Sequence, residues 1–470
     1  MADNFDLIVI GAGPGGYVAA IRGAQLGLSV ACVEAGGPAG GLGGVCNVIG
    51  CIPTKAMLES AKYAKKMGGL AEYGIDVGDV TLDIGRAAAR AKKIAETGSR
   101  GVASLFKKNR IELVTGWGRL GGGGKVEVES KDGKRSLSGK HIIIATGSRP
   151  RDLPILEFDG KRVWSSDQAV FPTTLPASIG IIGAGAIGME FADVYNAFGS
   201  KVTVIEALDQ VLPLEDADCA SVVEKSYRKR GIDMYTSARL EKANVGKGNV
   251  RLHVKGKGKD GKVVEIVVDV VLVAIGRAPI IDDIGLDKAG VKTDRGAIVV
   301  DDMLQTTARN VYAIGDCAKP PLLAHKASHE GIAVVEHIAG AGHGMVDYGN
   351  IPSVTYCHPE VASVGLTEKA AKEKGLDIQV GSFPFMANGR ARAAGETEGF
   401  VKIIRDRKYS EIVGAHIVGA GASELIAEFV VGRHLESTVE EMEQAMHPHP
   451  TLSEAVAEAA LAALGRVIHI

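Results

Sequence analysis

Two cysteines five positions apart are where the chemistry of this 470-residue chain is most concentrated. They sit in Gly43-Gly44-Val45-Cys46-Asn47-Val48-Ile49-Gly50-Cys51-Ile52-Pro53-Thr54-Lys55. Thiols so placed can cycle as a redox-active disulfide, share a metal ion, or stand as two inert groups. In a regular helix residues i and i+5 diverge by about 140° around the axis, so a bridge needs a distorted first turn. Gly50 and Pro53 supply the means of distortion. A thiol at a helix N-terminus also gains thiolate character from the helix dipole. A four-ligand zinc site would need two more Cys or His residues nearby, and the one candidate, Cys32, stands in an apolar run. Cys32, Cys219, Cys317 and Cys357 each stand alone in apolar or loop surroundings and read as structural.

The second kind of chemistry lies in two glycine turns that repeat each other. Leu7-Ile8-Val9-Ile10 runs into Gly11-Ala12-Gly13-Pro14-Gly15-Gly16 and a helical stretch to Leu26, and a second strand, Val30 to Val33, leads to Glu34. Gly180-Ile181-Ile182 runs into Gly183-Ala184-Gly185-Ala186-Ile187-Gly188, a helical stretch to Phe198, and a strand from Val202 to Ile205 that leads to Glu206. In each copy the acid falls 23 positions after the first glycine. Glycine turns alone are weak evidence, but strand, turn, helix and acid in this order describe a βαβ dinucleotide-binding unit. The first glycine makes the turn, the second admits a pyrophosphate and the third lets helix and strand approach. Phosphates would then face the helix N-terminus.

Around these units, Lys125 to Gly139 and Asn249 to Val273 alternate apolar and polar residues, as β-meanders do. Gly121–Gly124 and the GKGKDGK run at Gly256–Lys262 read as solvated hairpin turns. Helical spacing covers Lys55 to Lys66 and Ile84 to Lys107. After Ile351 the pattern is mixed: strands at Phe400–Ile404 and Ile412–Val418, then helices at Ala422–His434 and Ser453–Leu464. Glycine is 62 of 470 residues, nearly twice the usual share of about 7%, and with no Gly-X-Y period it must serve turns and close backbone approaches. A net charge of -2 gives no electrostatic footprint for nucleic acid. No apolar run reaches the roughly 18 residues of a membrane span. The acidic start, MADNFD, has no basic targeting region, so we expect a cytoplasmic protein, or one of an organelle matrix if a transit segment has been removed.

With these residues in view, the sequence resembles the FAD-dependent pyridine nucleotide–disulfide oxidoreductases along its whole length. Besides GGVCNVIGCIPTK, the resemblance is carried by IIIATGS at Ile142–Ser148, IIGAGAIGMEFA at Ile181–Ala192 and AIGR at Ala274–Arg277. VYAIGDC at Val311–Cys317, LLAHKASHEG at Leu322–Gly331, PSVTYCHPEVASVG at Pro352–Gly365 and HPHPTLSEA at His447–Ala455 complete it. The chain departs from the pattern in the long glycine-rich stretch Glu34 to Cys46, in Val45 and Asn47-Val48-Ile49, and in Cys317 after Asp316.

The resemblance implies an α/β fold with two Rossmann-like units and β-meanders, followed by a C-terminal α+β dimerisation domain. It implies four segments: 1–150 and 279–350 as two parts of an FAD-binding domain, 151–278 as an NAD-binding domain, and 351–470 as the interface. FAD is expected at Gly11, Gly13, Gly16, Glu34, Gly118, Thr146, Gly147, Asp316 and Ala324, with Lys55 near its ring and paired with Glu190. NAD is expected at Gly183, Gly185, Gly188, Glu206 and Gly276. Glu206 welcomes a ribose 2′-hydroxyl, and Ala207-Leu208-Asp209-Gln210 supplies no arginine for the 2′-phosphate of NADP. Cys51 would lie beside the flavin and Cys46 would exchange with substrate, with no metal involved. His449 would be the base, oriented by Glu454, and would act across a homodimer interface. His447 and His325 would be supporting residues, while His358 has no assigned chemistry. The implied reaction is oxidation of a protein-bound dihydrolipoyl arm by NAD+. The partners would be lipoyl domains of a dihydrolipoyl acyltransferase core or a glycine-cleavage carrier protein. The rival within the class is an NAD(P)H-dependent reductase of a small disulfide such as glutathione.

Overall fold

The computed structural model describes residues 3–36, 40–256, 262–342 and 344–470. Parts of the glycine-rich stretch and of the GKGKDGK hairpin thus lie outside the described residues. The N-terminal run forms strand β1 (Asn4–Ile10), whose Leu7, Ile8 and Val9 are fully buried. A strand apolar on both faces belongs inside a parallel sheet covered on both sides. Helix α1 (Pro14–Gln25) follows, with proline at its start, and β2 (Val30–Glu34) pairs parallel to β1. Two helices, α2 (Gly44–Val48) and α3 (Cys51–Met67), carry the cysteines, and the long α4 (Ile84–Lys108) packs against them. Strands β3 (Glu112–Thr115), β4 (Trp117–Gly122), β5 (Lys125–Ser130) and β6 (Gly133–Ile144) complete the stretch.

The sheet order is β3-β2-β1-β6-β5-β4, and the short strand Val311–Ala313 pairs with β6 as well. Strand β6 therefore has two roles. Its first half closes an antiparallel meander with β5, and its second half runs parallel to β1 and to Val311–Ala313. The alternating pattern read at Lys125–Gly139 and the apolar IIIATGS motif meet in this one strand. The chain thus leaves the first sheet after Ile144 and returns to it at Val311.

Between these points lies the second unit: β7 (Ser178–Ile182), α5 (Ala186–Phe198), β8 (Lys201–Ile205) and α6 (Ala217–Lys229). Its parallel sheet also contains β9 (Val270–Val273). Of the second predicted meander, Asn249 to Val273, Val250–Gly256 and Val263–Val268 form an antiparallel sheet together with Ala238–Val245, which precedes it, while β9 is buried and joins the parallel one. The two turns repeat in detail. Gly11 and Gly183 have φ of +104° and +102°, and a Cβ there would strike the carbonyls of Ala145 and Ala274. At Gly16 and Gly188 a Cβ would strike the carbonyl of the first glycine, so only glycine lets each helix start so close to its strand.

Helix α7 (Ala324–Ile338) packs on α1, and the remaining chain forms a five-stranded antiparallel sheet. That sheet includes β10 (Phe400–Asp406) and β11 (Ile412–Val418) and is covered by α8 (Ala422–His434) and α9 (Glu454–Ala463). Among the described residues no helix is long and apolar enough to cross a membrane.

A buried lysine ties this last unit to the second. Lys402 on β10, 3% exposed, donates to Asp216 at 3.0 Å, Asp218 at 2.6 Å and Glu368 at 2.7 Å. Burial alone would disfavour its charge, yet these carboxylates raise the ammonium above the ordinary lysine value. Burial likewise opposes ionised Asp216, but Lys402 and the Glu368 N–H hold its carboxyl below the ordinary range. Lys372 and Lys402 do the same for Glu368. Lys402→Met should cost about 3–5 kcal/mol at pH 7, as when a buried charge loses its partner. Both carboxyls are depressed in the folded state, so their contribution is present above the ordinary carboxyl range and is lost as pH falls through the folded values. Melting temperatures of variant and wild type should differ most near pH 7, and the gap should begin to narrow only below about pH 4, shrinking toward about pH 2 as the depressed carboxyls take up protons. An equal gap at about pH 7 and about pH 2 would contradict this assignment.

Candidate active site

Each glycine turn is locked to the acid at the end of its second strand. Glu34 accepts from the Ala12 N–H at 2.7 Å on Oε2 and from the Gly36 N–H at 2.8 Å on Oε1. Glu206 accepts from Ala184 at 2.7 Å and Leu208 at 2.8 Å in the same way. Every carboxylate oxygen keeps a further acceptor site for a ligand hydroxyl. In front of the turns there is open space. A Cβ on Gly13 would come no nearer than 3.9 Å to its neighbour Gly44, and one on Gly185 would meet nothing within 4 Å. A pyrophosphate fits both cradles, at the positive ends of α1 and α5.

Several of the remaining expected cofactor residues lie where the chain passes between the units. Thr146 Oγ1 donates to the Ile280 carbonyl at 2.6 Å, and Gly147 and Gly276 take positive φ beside this crossing. Asp316 accepts from Ser148 Oγ at 2.5 Å, and Arg277 Nε donates to the same Oγ at 2.7 Å. Arg277 belongs to a recognised motif, but its link to Asp316 through Ser148 was not foreseen. Ala324 opens α7. Gly118 packs against Val33 and Ile10, where a Cβ would come within 3.1–3.2 Å of their side chains.

Cys46 and Cys51 are joined in a disulfide, with their Cα atoms 4.5 Å apart. They do not share one distorted helix as the spacing suggested. Cys46 lies in α2, the chain breaks at Ile49-Gly50, and Cys51 is the first residue of α3. The other four cysteines are buried, and burial pushes the Cys317 thiol up to about 11, leaving it inert.

One turn beyond Cys51, Lys55 Nζ donates to both oxygens of Glu190 on α5 at 2.9 Å. Sequence reasoning missed what surrounds this pair. The Tyr356 N–H also donates to Glu190, at 3.0 Å, and the Tyr356 ring lies 4.5 Å from Lys55 Nζ. Farther along the same helices Lys65 pairs with Asp193, which also pairs with Arg230 at the end of α6, and Arg230 donates to the His358 carbonyl at 2.9 Å. His358 thus marks a junction of three parts of the chain. Only the position of Tyr356 inside the quoted motif PSVTYCHPEV could have signalled it.

His449 Nδ1 lies 2.8 Å from Glu454 Oε1, and Glu454 also accepts from the Thr451 N–H at 2.9 Å. That N–H, then His449, holds the Glu454 carboxyl below its ordinary range. The His449 side chain is 78% exposed, and among the described residues Glu454 is its only hydrogen-bond partner. Within one chain it makes no hydrogen bond to the cysteine pair. His447 is held between Glu428 and the Ala445 carbonyl, and His325 contacts the Pro352 carbonyl.

Two dinucleotide cradles with a disulfide at the head of a helix between them define an oxidoreductase that passes electron pairs between nucleotides and thiols. The chain belongs to the pyridine nucleotide-disulphide oxidoreductase family: that family matches residues 5–331, and its dimerisation domain matches residues 351–460. It is 45% identical to a dihydrolipoyl dehydrogenase of Rhizobium etli, over 100% of both chains. Its fold is similar to the crystal structure of LpdA from Mycobacterium tuberculosis, with a TM-score of 0.89, 29% identity, and 97% of this chain and 98% of that one covered. It also resembles the HOCl-induced flavoprotein disulfide reductase RclA from Escherichia coli, in its Cu(II) complex, at 28% identity and a TM-score of 0.86, with 97% and 99% covered.

Proposed function

We propose that this chain oxidises dihydrolipoyl groups carried on a partner protein to lipoyl, with reduction of NAD+ to NADH. One observation carries the reading. Helix α3 bears the Cys46–Cys51 disulfide at its head and, one turn on, the lysine bound to Glu190 of the helix behind the second glycine turn. Thiol and nucleotide chemistry therefore share one rigid link. The name of the Rhizobium etli relative supports the dihydrolipoyl substrate.

Gly11, Gly13, Gly16, Glu34 and Asp316 would hold FAD, with Gly118, Thr146, Gly147 and Ala324 around them and Lys55 beside the ring. When bound, FAD carries an electron pair between the cysteine pair and the nicotinamide. Gly183, Gly185, Gly188 and Gly276 would hold NAD+, with Glu206 on its adenosine ribose. His449, oriented by Glu454, takes the proton of the first substrate thiol, because only the thiolate attacks a disulfide. That thiolate bonds to Cys46 Sγ while the Cys46–Cys51 bond breaks, leaving the electron pair on Cys51. The Cys51 thiolate is favoured at the N-terminus of α3. The second substrate thiol gives up its proton and attacks the substrate sulfur held on Cys46. The lipoyl disulfide closes and Cys46 departs with its electrons. In sum, dihydrolipoyl and NAD+ give lipoyl, NADH and one proton.

The exposed His449 ring is read as serving the disulfide of a second protomer, and the dimerisation domain supports a homodimer. Lipoyl domains of an acyltransferase core or a glycine-cleavage carrier are the partners this reaction needs. A reducing compartment, cytoplasm or organelle matrix, suits its four buried free thiols.

Steady-state kcat/KM for dihydrolipoamide with NAD+ should far exceed that for oxidised glutathione with NADPH. The opposite ranking would refute the reading. His449→Gln should lower dihydrolipoamide turnover by about 10²–10⁴-fold, the range for losing a positioned base, and spare bleaching of flavin absorbance by NADH. Heterodimers of a Cys46→Ser protomer with a His449→Gln protomer should regain partial turnover. Verified heterodimers without it would argue that each chain supplies its own base.

A further inference from the structure

Glu190 is 4% exposed and takes three hydrogen bonds from two other parts of the chain: two from Lys55 on α3, and one from the Tyr356 backbone, just past the strand Ser353–Thr355. Tyr356 contributes more than its amide. The Lys55 ammonium, 4.5 Å from the centre of its ring, is within the range of a cation–π contact. The ammonium thus has a carboxylate on one side and an aromatic face on another. Its side chain is 31% exposed, so water competes for it wherever the ring does not cover it.

The backbone that presents this ring is fixed. Cys357, the next residue, is fully buried in the cluster that also contains Met57 of α3 and Met189 and Phe191 of α5. The residue after that, His358, accepts from Arg230 through its carbonyl. Burial, and then the Glu190 carboxylate, push the Tyr356 hydroxyl above the ordinary tyrosine range, so at neutral pH the ring stays uncharged beside the pair. Among the described residues no hydrogen bond reaches that hydroxyl, which leaves the ring face and the amide as its means of action.

We infer that Tyr356 is a positioning residue: its ring face and amide hold the Lys55–Glu190 pair in place, so that the C-terminal unit sets the geometry of the redox helix. The inference rests on reading Lys55 as part of the electron-transfer site.

The test compares holoenzymes of wild type, Tyr356→Phe and Tyr356→Leu, with Tyr356→Met as a second ring-free variant should the leucine variant fail to fold. Limited acetylation with acetic anhydride, read by mass spectrometry, measures the reactivity of Lys55 against that of Lys131. Loss of the ring should raise Lys55 labelling about 2- to 30-fold, the range of a cation–π contact, while the phenylalanine variant labels like wild type. Flavin reduction by NADH should slow in the ring-free variants and recover with phenylalanine, at an unchanged KM for NADH. Wild-type labelling of Lys55 in a folded ring-free variant, or a phenylalanine variant that behaves like leucine, would overturn the inference. Absence of dihydrolipoamide turnover in wild type would instead sink the functional reading and leave the labelling result standing.

Discussion

The pairing of α3 lysines with buried acids of α5 is the constraint on which the site depends. Glu190 and Asp193 are 4% and 2% exposed, and a buried carboxylate is tolerated only where cations and N–H groups surround it. Lys55 and Lys65 supply those cations from the helix that begins at Cys51. Neither helix can rotate or slide without stranding a charge, so the disulfide at the head of α3 is held in one relation to the second nucleotide unit. Burial works against the charge on Lys65, yet the ion pair with Asp193 gives that lysine a reason to stay. Stability and positioning are served by the same contacts.

The C-terminal unit adds a third side to this arrangement. Tyr356 and Arg230–His358 meet it at the two acids, and Lys402 joins it to the start of α6 a few turns away. One apolar cluster runs through the same region, from Ile49 and Met57 through Met189 and Tyr195 to Cys357, Val361 and Val418. The redox helix, the second glycine turn and the C-terminal unit therefore pack as one body where electrons must pass. His449, by contrast, stands exposed on the C-terminal unit, with its tautomer set by Glu454.

What was legible in the sequence was local. Both βαβ units follow from short-range pattern, because strand, glycine turn, helix and acid lie within about one supersecondary unit. The strand at Ile412–Val418 and the helix at Ala422–His434 fall where periodicity places them. The break between α2 and α3 was hidden, because spacing alone does not tell a distorted helix from two helices. The dual role of β6 was hidden for a related reason: its pattern changes midway as its neighbour changes from β5 to β1. Lys65–Asp193, Lys402–Asp216 and Lys55–Tyr356 join residues from over a hundred to three hundred positions apart, and no local rule connects them. The Lys55–Glu190 pair was anticipated through resemblance to a family, not from the physics of the chain.

The central claim is that the Cys46–Cys51 bond lies on the path between the nucleotide sites and the thiol substrate. It is tested most directly by adding NADH to the oxidised holoenzyme without oxygen, trapping thiols with iodoacetamide and locating the label by mass spectrometry. The account predicts new label on Cys46 and Cys51 and none on Cys32, Cys219, Cys317 or Cys357, whose thiols are buried. A flavin fully reduced by NADH while the Cys46–Cys51 disulfide stays intact would contradict it.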